Sequence, residues 1–371
     1  MNKRKEINFI TLLLYIILIV LIIGIGYFVI YIYRTEIMQN ATKIVSVSSQ
    51  EINEDVIKLK HLGENNLETD IVQIEPASTI NDSNTVNTTN KFYYNQLDSY
   101  SKMIYDGLNN NKESLKTGNA QIDLPNEFAK YLSTDEAHNK AESLFTIAIN
   151  AFEYDNPDIY YIDYSKIVLY YESNSFGRYK AYINCGDEEN YFIDGFNNKE
   201  DVENTQKKLD DIYIGLNNDL NQLHSDYDKI KYIHDWIVKN TTYDRTVSRS
   251  NRSNICGVLL EKQATCGGYA KTFKYIMDRL NINSIVIQGE ASRDNSTENH
   301  AWNYVELNGK WYAIDCTWDD PIVEGVSEEH KKIYYDFFLK NEDVFKNHKK
   351  FETFYGTDLR IEYPELSIND Y

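Results

Sequence analysis

The sequence predicts a mixed α+β protein attached to a membrane, and three features support this. Residues 7–33 contain no charged side chain, residues 34–91 are polar and aperiodic, and from residue 92 helical periodicity alternates with short strand-like runs. No segment repeats at a fixed period. We therefore expect one transmembrane helix, a linker and a folded part that extends to residue 371.

The apolar run at residues 7–33 is long enough to cross a bilayer. At about 1.5 Å per residue it makes a helix of roughly 40 Å, against a hydrocarbon core of about 30 Å. Basic residues at positions 3–5 precede it, which predicts cytoplasmic residues 1–6 and an extracytoplasmic remainder. A cleaved signal peptide is the alternative, but the run exceeds a typical signal core and no small-x-small site follows it. We expect a retained, single-pass signal anchor in the cell membrane.

The charge balance argues against one class of partner. The chain has 38 Lys and Arg against 57 Asp and Glu, a net charge of −19. Such a chain repels phosphate backbones, and no dense basic cluster lies beyond the N-terminus. We therefore expect no nucleic-acid binding.

Three further segments follow the membrane helix. Residues 34–91 have too few apolar side chains to offset the entropy of ordering, which predicts a disordered linker that keeps the folded part near the cell envelope. Residues 92–205 form a smaller α+β region without evident chemistry, and residues 206–371 form the second domain. The expected helices of the first region are 93–108 and 137–153, its expected strands are 159–164, 167–171 and 179–184, and a helix at 199–220 leads onward.

The four cysteines exclude one kind of metal site. They are Cys185, Cys256, Cys266 and Cys316, and none forms a C-x-x-C pair, so we expect neither a structural zinc site nor any cofactor. An extracytoplasmic protein can form disulfides, and Cys256 with Cys316 is the pair to test first. The alternative is that these cysteines are small buried side chains.

Cys266 stands out because it begins a helix. Apolar side chains recur at helical spacing from Tyr269 to Leu280, which predicts an amphipathic helix that ends near Asn281. Thr265 is the expected N-cap, so Cys266 lies in the first turn. There the unpaired N–H groups and the helix dipole favour a thiolate, which is the nucleophilic form of cysteine. A cysteine at a helix start is more often inert, so this feature alone is weak.

A hairpin supplies the second part of a site. Residues 300–307 alternate as a strand, Asn308-Gly309 is a two-residue turn signal, and residues 310–315 return as the partner strand. If Leu307 faces Lys310, then His300 and Asp315 are diagonal neighbours on one face, within reach of a hydrogen bond. This face is expected to look toward the Cys266 helix, with Asn303 pointing the other way. A base held by an acid is what a thiol nucleophile requires.

These residues together resemble the bacterial transglutaminase-like family of the papain-like thiol superfamily. The resemblance rests on Cys-x-Gly-Tyr-Ala from Cys266, on His-Ala-Trp-Asn from His300, and on Trp-Tyr-Ala-Ile-Asp-Cys-Thr-Trp-Asp-Asp-Pro around Asp315, and it covers about residues 220–350. It implies a papain-like α+β core with the cysteine on a helix N-terminus and the His and Asp on antiparallel strands. It also implies that Cys266 is the nucleophile, His300 the general base and acid, and Asp315 the group that orients the imidazole.

The resemblance implies an acyl-transfer enzyme that acts on peptide or protein amides of the cell envelope. The sequence does not separate hydrolysis from cross-linking, although a hydrolase is favoured. The competing hypothesis is a catalytically silent module that binds envelope proteins or peptidoglycan in the same groove. For the oxyanion hole we expect the Cys266 backbone N–H, with Tyr243 and Gln263 as weaker side-chain candidates.

Other conspicuous side chains have structural explanations. His234 lies on an apolar helix face and is expected to be a packed core histidine. Asp319 and Asp320 precede Pro321 and are expected to be turn residues without a calcium ion. Three tryptophans are expected to shield the site from water: Trp302, Trp311 and Trp318.

Overall fold

The computed structural model describes residues 42–46, 91–173, 178–186, 188–245, 250–293, 296–320, 332–354 and 356–371. The predicted transmembrane helix at 7–33 and most of the predicted linker lie outside these ranges. Within the ranges that are described, no helix is both long enough and apolar enough to span a membrane.

The first region combines helices with a small sheet. Its helices are α1 (Ser99–Asn110), α2 (Lys112–Leu115), α3 (Asn126–Leu132) and α4 (Asp135–Asp155). Its strands are β1 (Thr42–Ser46), β2 (Ile122–Asp123), β3 (Ile167–Ser173) and β4 (Tyr179–Cys185), which lie in the order β1-β3-β4-β2. The predicted strands at 167–171 and 179–184 are confirmed, as are helices at 93–108 and 137–153, with shifted ends.

Side-chain caps define where these helices start. The Asp98 carboxylate accepts hydrogen bonds from the backbone N–H groups of Tyr100 and Ser101 at the start of α1. The Thr134 hydroxyl accepts one from Ala137 at the start of α4. Such caps satisfy N–H groups that have no partner within the helix. Each of these helices therefore begins directly after a polar capping residue, and hydrophobic periodicity alone does not identify that residue.

The predicted strand at 159–164 is wrong. This segment is a turn-rich loop. An isolated β-bridge joins Ile162 to Phe192. Its apolar side chains are buried consecutively, without the alternation of a half-exposed strand. The Tyr160 hydroxyl donates to Val202 O within this interior. A run of β-prone residues fits a buried loop as well as a strand, because burial on all sides removes the period of two.

The second region places one long helix on an antiparallel sheet. Helices α5 (Lys199–Leu220) and α6 (Asp226–Asn240) lead to α7 (Cys266–Arg279), and α5 has the predicted bounds. A short parallel pair, β5 (Thr242–Tyr243) and β6 (Gln263–Ala264), lies just before α7. The sheet has the order β10-β7-β8-β9, with β7 (Ser284–Arg293), β8 (Ser296–Leu307), β9 (Lys310–Ile314) and β10 (His348–Lys350).

The β8–β9 hairpin has the predicted register. Leu307 pairs with Lys310, and the pairing continues without a bulge to Asn303 and Ile314. Asn308 and Gly309 have φ values of 53° and 73°, the left-handed conformations that a two-residue hairpin turn of this kind requires. The prediction that Asn303 points away from the cysteine helix is wrong, because its amide donates to Ala270 O of α7 at 3.0 Å. The helix lies across the face that carries Asn303.

Polar contacts join the two regions through a shared core. The Tyr93 hydroxyl donates to Val286 O of β7 at 2.6 Å, and the Asn254 amide donates to Tyr160 O at 3.0 Å. A Lys271–Glu153 ion pair of 2.6 Å links α7 to α4. The first region therefore packs directly against the helix that carries Cys266.

Candidate active site

Cys266 is the first residue of α7, and its thiol is buried. Thr265 is the N-cap, as predicted, but its side chain makes no cap hydrogen bond and instead donates to Arg252 O at 3.2 Å. A Cβ on Gly268 would overlap Arg252 O, whereas one on Gly267 would meet nothing closer than Ser253 O at 3.4 Å. The loop before α7 can pack on the first turn of the helix only because Gly268 has no side chain.

His300 and Asp315 meet just beyond the paired part of the hairpin. The His300 Nε2 lies 2.7 Å from Asp315 Oδ2, which confirms the predicted hydrogen bond. The last β8–β9 pair is Asn303 with Ile314, so neither His300 nor Asp315 is itself part of that ladder. The Cys266 side chain also interacts with the His300 ring and contributes to raising its pKa. Since Nε2 is bonded to the carboxylate, Nδ1 is the nitrogen left for the sulfur.

The charges of this site depend on one another. Burial lowers the pKa of His300, but the Asp315 carboxylate and the hydrogen bonds to Asp315 and Cys266 outweigh it and raise that pKa to about 10. Burial opposes ionisation of Asp315, but His300 and the hydrogen bonds from His300 and His348 lower the pKa of that carboxyl well below its usual range. At neutral pH the pair is an imidazolium and a carboxylate.

A second histidine, which the sequence analysis did not single out, binds the same carboxylate. His348 Nε2 lies 3.0 Å from Asp315 Oδ2, and its side chain is buried. Asp315 Oδ1 accepts backbone hydrogen bonds from Thr317 and Trp318 at 2.9 and 3.1 Å. His348 lies in a short edge strand without a motif of its own, so no local pattern connects it to Asp315.

The two side-chain candidates for the oxyanion hole lie on the strands that precede α7. Tyr243 pairs with Ala264 and is half-buried, with its ring centroid 6.5 Å from that of Tyr269. Gln263 is exposed, and its backbone carbonyl accepts from Arg252. Both remain candidates, and the exposed position of Gln263 makes it the weaker.

Two of the three tryptophans surround the site as predicted. The rings of Trp302 and Trp318 lie 6.1 and 5.7 Å from that of His300. Trp311 of β9 does not shield the site, because it pairs with Glu306 of β8 near the hairpin turn and forms a bridge to Leu366. It shares the face of Trp302 but lies farther along the hairpin, away from His300.

The buried His234 is a packed core histidine, but the prediction that Asp319 and Asp320 are merely turn residues is incomplete. His234 Nε2 lies 3.1 Å from Asp319 Oδ2, and its Nδ1 lies 3.0 Å from Asp235 Oδ1. Asp320 accepts a hydrogen bond of 2.6 Å from the Tyr269 hydroxyl of α7. Both aspartates lie in a turn, and both are buried with specific partners.

The cysteines form no crosslink. Cys185, Cys256, Cys266 and Cys316 are all free thiols, so the suggested Cys256–Cys316 disulfide is not formed. Burial raises the pKa values of the Cys256 and Cys316 thiols, as expected for small buried side chains. One ring nitrogen each of His300 and His348 and an Asp315 oxygen lie within 4.8 Å of one another, but hydrogen bonds already link these three side chains.

A cavity of about 90 Å³ lies beside the site, between the two regions. Gly267 and Ala301, the residues that follow Cys266 and His300, form one side of it. Tyr154, Tyr160 and Tyr164 of the first region line the other side. The first region therefore contributes to the surroundings of the Cys266 helix.

Comparisons with known proteins point to the same part of the chain. Residues 214–316 match the model of the transglutaminase-like superfamily. Kyphoscoliosis peptidase from Homo sapiens is 24% identical over 161 residues, which cover 39% of this chain and 24% of that protein. The protein of that name from Mus musculus is 24% identical over 150 residues, with 36% and 23% covered. The chain thus spans about a quarter of the length of these relatives.

Two solved structures are also similar, at 17% identity each. One is described as a TGase, with a TM-score of 0.30 and coverage of 45% of this chain and 50% of that one. The other is a candidate cysteine protease from Cytophaga hutchinsonii, with a TM-score of 0.27 and coverage of 42% and 62%. The superfamily match includes Cys266, His300 and Asp315, all within residues 214–316. Residues 214–316 are therefore similar to the transglutaminase-like superfamily.

Proposed function

We propose that this protein is a thiol acyl-transfer enzyme that acts on peptide or protein amides through Cys266, His300 and Asp315. One observation carries the proposal: the His300 ring is hydrogen-bonded to Asp315, and the thiol that begins α7 lies close enough to help raise the pKa of that ring. An imidazole held by a carboxylate can take up the proton of the attacking thiol, and the helix N-terminus offers N–H donors beside it. A nucleophile, a base and an orienting acid are thereby combined.

The reaction follows from these positions. The Cys266 sulfur attacks the amide carbonyl carbon, and the oxyanion is stabilised by the Cys266 backbone N–H, with Tyr243 or Gln263 as a further donor. The C–N bond breaks while His300 gives its proton to the leaving amine, which leaves a thioester on Cys266. Water or a second amine then attacks the thioester, His300 takes up the proton, and the thiol is regenerated.

Hydrolysis is the favoured outcome, with protein or peptide substrates in the cell envelope. The human and mouse relatives are named peptidases, which agrees with hydrolysis. We further propose that residues 7–33 anchor the chain in the cell membrane and that the domain is extracytoplasmic. The uncharged run and the basic residues at positions 3–5 support this orientation.

One observation favours the alternative, a catalytically silent binding module. Cys266, His300 and Asp315 have relative exposures of 1%, 2% and 1%, so a substrate reaches the sulfur only when a covering segment moves. Enzymes often close their sites in this way, and lids open on microsecond to millisecond timescales. A binding module would never need to expose the thiol.

Two readouts test the proposal on the full chain. Cleavage of fluorescein-labelled casein reports hydrolysis, and incorporation of a dansylated amine into casein reports transamidation. We expect cleavage by the wild type and none by Cys266→Ala, while Cys185→Ser serves as a control because Cys185 lies outside the site and is partly exposed. Activity that persists in Cys266→Ala would overturn the mechanism. No product in either assay, with Cys266 no more reactive than Cys185 toward iodoacetamide, would favour the binding module.

A further inference from the structure

Asp315 is shared between two imidazoles. Oδ2 accepts hydrogen bonds from His300 at 2.7 Å and from His348 at 3.0 Å, while Oδ1 accepts from the backbone N–H groups of Thr317 and Trp318. An ionised carboxylate offers about four lone-pair sites. All four are therefore used, and His348 is the one side-chain donor among the described partners of Asp315 that the acyl-transfer mechanism does not employ.

The strand order brings His348 to this place. Lys350 of β10 pairs with Gly289 of β7, and Gly289 in turn pairs with His300 of β8. His348 and Lys350 lie two residues apart and so share a face, which is the face of His300. A Cβ on Gly289 would overlap Lys349 O. The missing side chain at Gly289 therefore lets β10 approach closely enough for both imidazoles to reach one carboxylate.

The surroundings of His348 are largely aromatic. Its ring centroid lies 4.4 Å from that of Trp318, 4.6 Å from Phe345 and 5.1 Å from Trp302. Its Nδ1 is buried and has no hydrogen-bond partner among the residues that the structure describes. A proton there would be a buried donor without a partner, which is unfavourable. The favoured tautomer carries its proton on Nε2 and donates it to Asp315.

Charged and titratable groups approach from each neighbouring element. Cys266 comes from α7, and Asp319, whose N–H donates to Asp315 O, comes from the turn after β9. Arg293 of β7 lies over the Trp318 ring at 5.7 Å. Through its hydrogen bond His348 shares the negative charge of Asp315 with His300.

We propose that His348 is a positioning residue that shares the Asp315 carboxylate with His300 and so limits how tightly the carboxylate holds the His300 proton. This inference rests on the proposed function, because it concerns the same thiol site. When the His348 donor is removed, the charge on Oδ2 acts on His300 alone. The imidazolium then becomes more stable, because an anion with fewer hydrogen bonds attracts the neighbouring cation more strongly.

This change has two opposite consequences. A more stable imidazolium keeps its thiolate partner to lower pH, so Cys266 reacts with an alkylating reagent at more acidic pH. The same imidazolium gives its proton to the leaving amine less readily, so turnover falls. A residue needed only for packing would, when replaced, lower both alkylation and turnover.

The test uses three variants that separate the ring from the donor. His348→Phe keeps an aromatic ring without a donor, His348→Gln keeps an N–H donor at a similar position without the ring, and His348→Met keeps neither. The full chain is treated with iodoacetamide between pH 4 and 8, and the modified Cys266 and Cys185 peptides are quantified by mass spectrometry. Casein cleavage is measured on the same samples, and folding is checked by near-ultraviolet circular dichroism.

We expect the midpoint of Cys266 alkylation to move down by about half to one pH unit in His348→Phe and His348→Met, with turnover about tenfold lower. His348→Gln should restore both values toward those of the wild type. An unchanged or raised midpoint in the donorless variants would overturn the proposal. The proposal would also be overturned if His348→Gln folds but His348→Phe and His348→Met do not, because His348 would then be needed for stability. Wild-type Cys266 that reacts no faster than Cys185 would instead overturn the proposed function.

Discussion

The second region of the chain contains two buried histidine–aspartate pairs that look alike and differ in one respect. His300 bonds Asp315 at 2.7 Å, and His234 bonds Asp319 at 3.1 Å, both through Nε2. Burial lowers the pKa of each histidine, and the neighbouring carboxylates more than compensate, so both pKa values are raised. A buried pair with a raised pKa is therefore not by itself a sign of chemistry in this protein.

The difference lies in the second ring nitrogen. The Nδ1 of His234 is occupied by Asp235, so that ring is fixed between two carboxylates. The second nitrogen of His300 is left for the Cys266 thiol. An imidazole can transfer protons only if one of its nitrogens faces a reacting group. The comparison predicts that the His300–Asp315 pair takes part in catalysis and that the His234–Asp319 pair stabilises the fold.

The largest expected effect separates the two histidines by activity. His300→Ala should lower the casein cleavage rate by about a thousandfold or more, because the general base is lost. His234→Ala should change the rate per folded molecule only a few fold, since that ring touches no reacting group. Both rates are measured with the folded fraction determined by circular dichroism. Equal losses in the two variants would break the distinction between the pairs.

The second effect compares the two aspartates. Asp315→Asn should leave a trace of activity, roughly a hundredth or less of the wild-type rate, because the imidazole remains but loses its orienting charge. Asp319→Asn should retain most activity and instead lower the free energy of unfolding by about 3 kcal/mol, as expected when a buried ion pair is broken. Urea denaturation and the cleavage assay together check both values. Full activity in Asp315→Asn would contradict the role assigned to that carboxylate.

The smallest effect concerns pH. The pKa of His300 is raised to about 10 in the folded chain, against an ordinary value of 6.5. Its contribution to stability is thus complete below about pH 6.5 and is lost as pH rises through about 10, with a slope of at most about 1.4 kcal/mol per pH unit. The difference in unfolding free energy between wild type and His300→Gln should shrink over this interval.

A matched control uses a histidine outside the core. His224 is exposed, so the difference between wild type and His224→Gln should stay constant between pH 6.5 and 10. Titrations common to both chains cancel in each difference. A His300→Gln difference that grows with pH would show that the imidazolium does not stabilise the fold.

Local sequence signals determined the hairpin and the start of the cysteine helix. The Asn308-Gly309 turn and the alternation around it define a register that depends on neighbours along the chain, so the His300–Asp315 bond could be predicted. The same holds for α5, which has the bounds expected from the sequence. These elements rest on interactions between residues close in sequence.

Tertiary structure alone decided the rest of the site. His348 reaches Asp315 from a short edge strand, and His234 reaches Asp319 from a helix far upstream, and neither pairing has a local pattern. The buried run at 159–164 and the inward-facing Asn303 were mispredicted because their environment depends on which element packs above them. Periodicity records which side of an element is buried, but not which distant side chain lies there. That depends on how α7, β7 and β10 pack together.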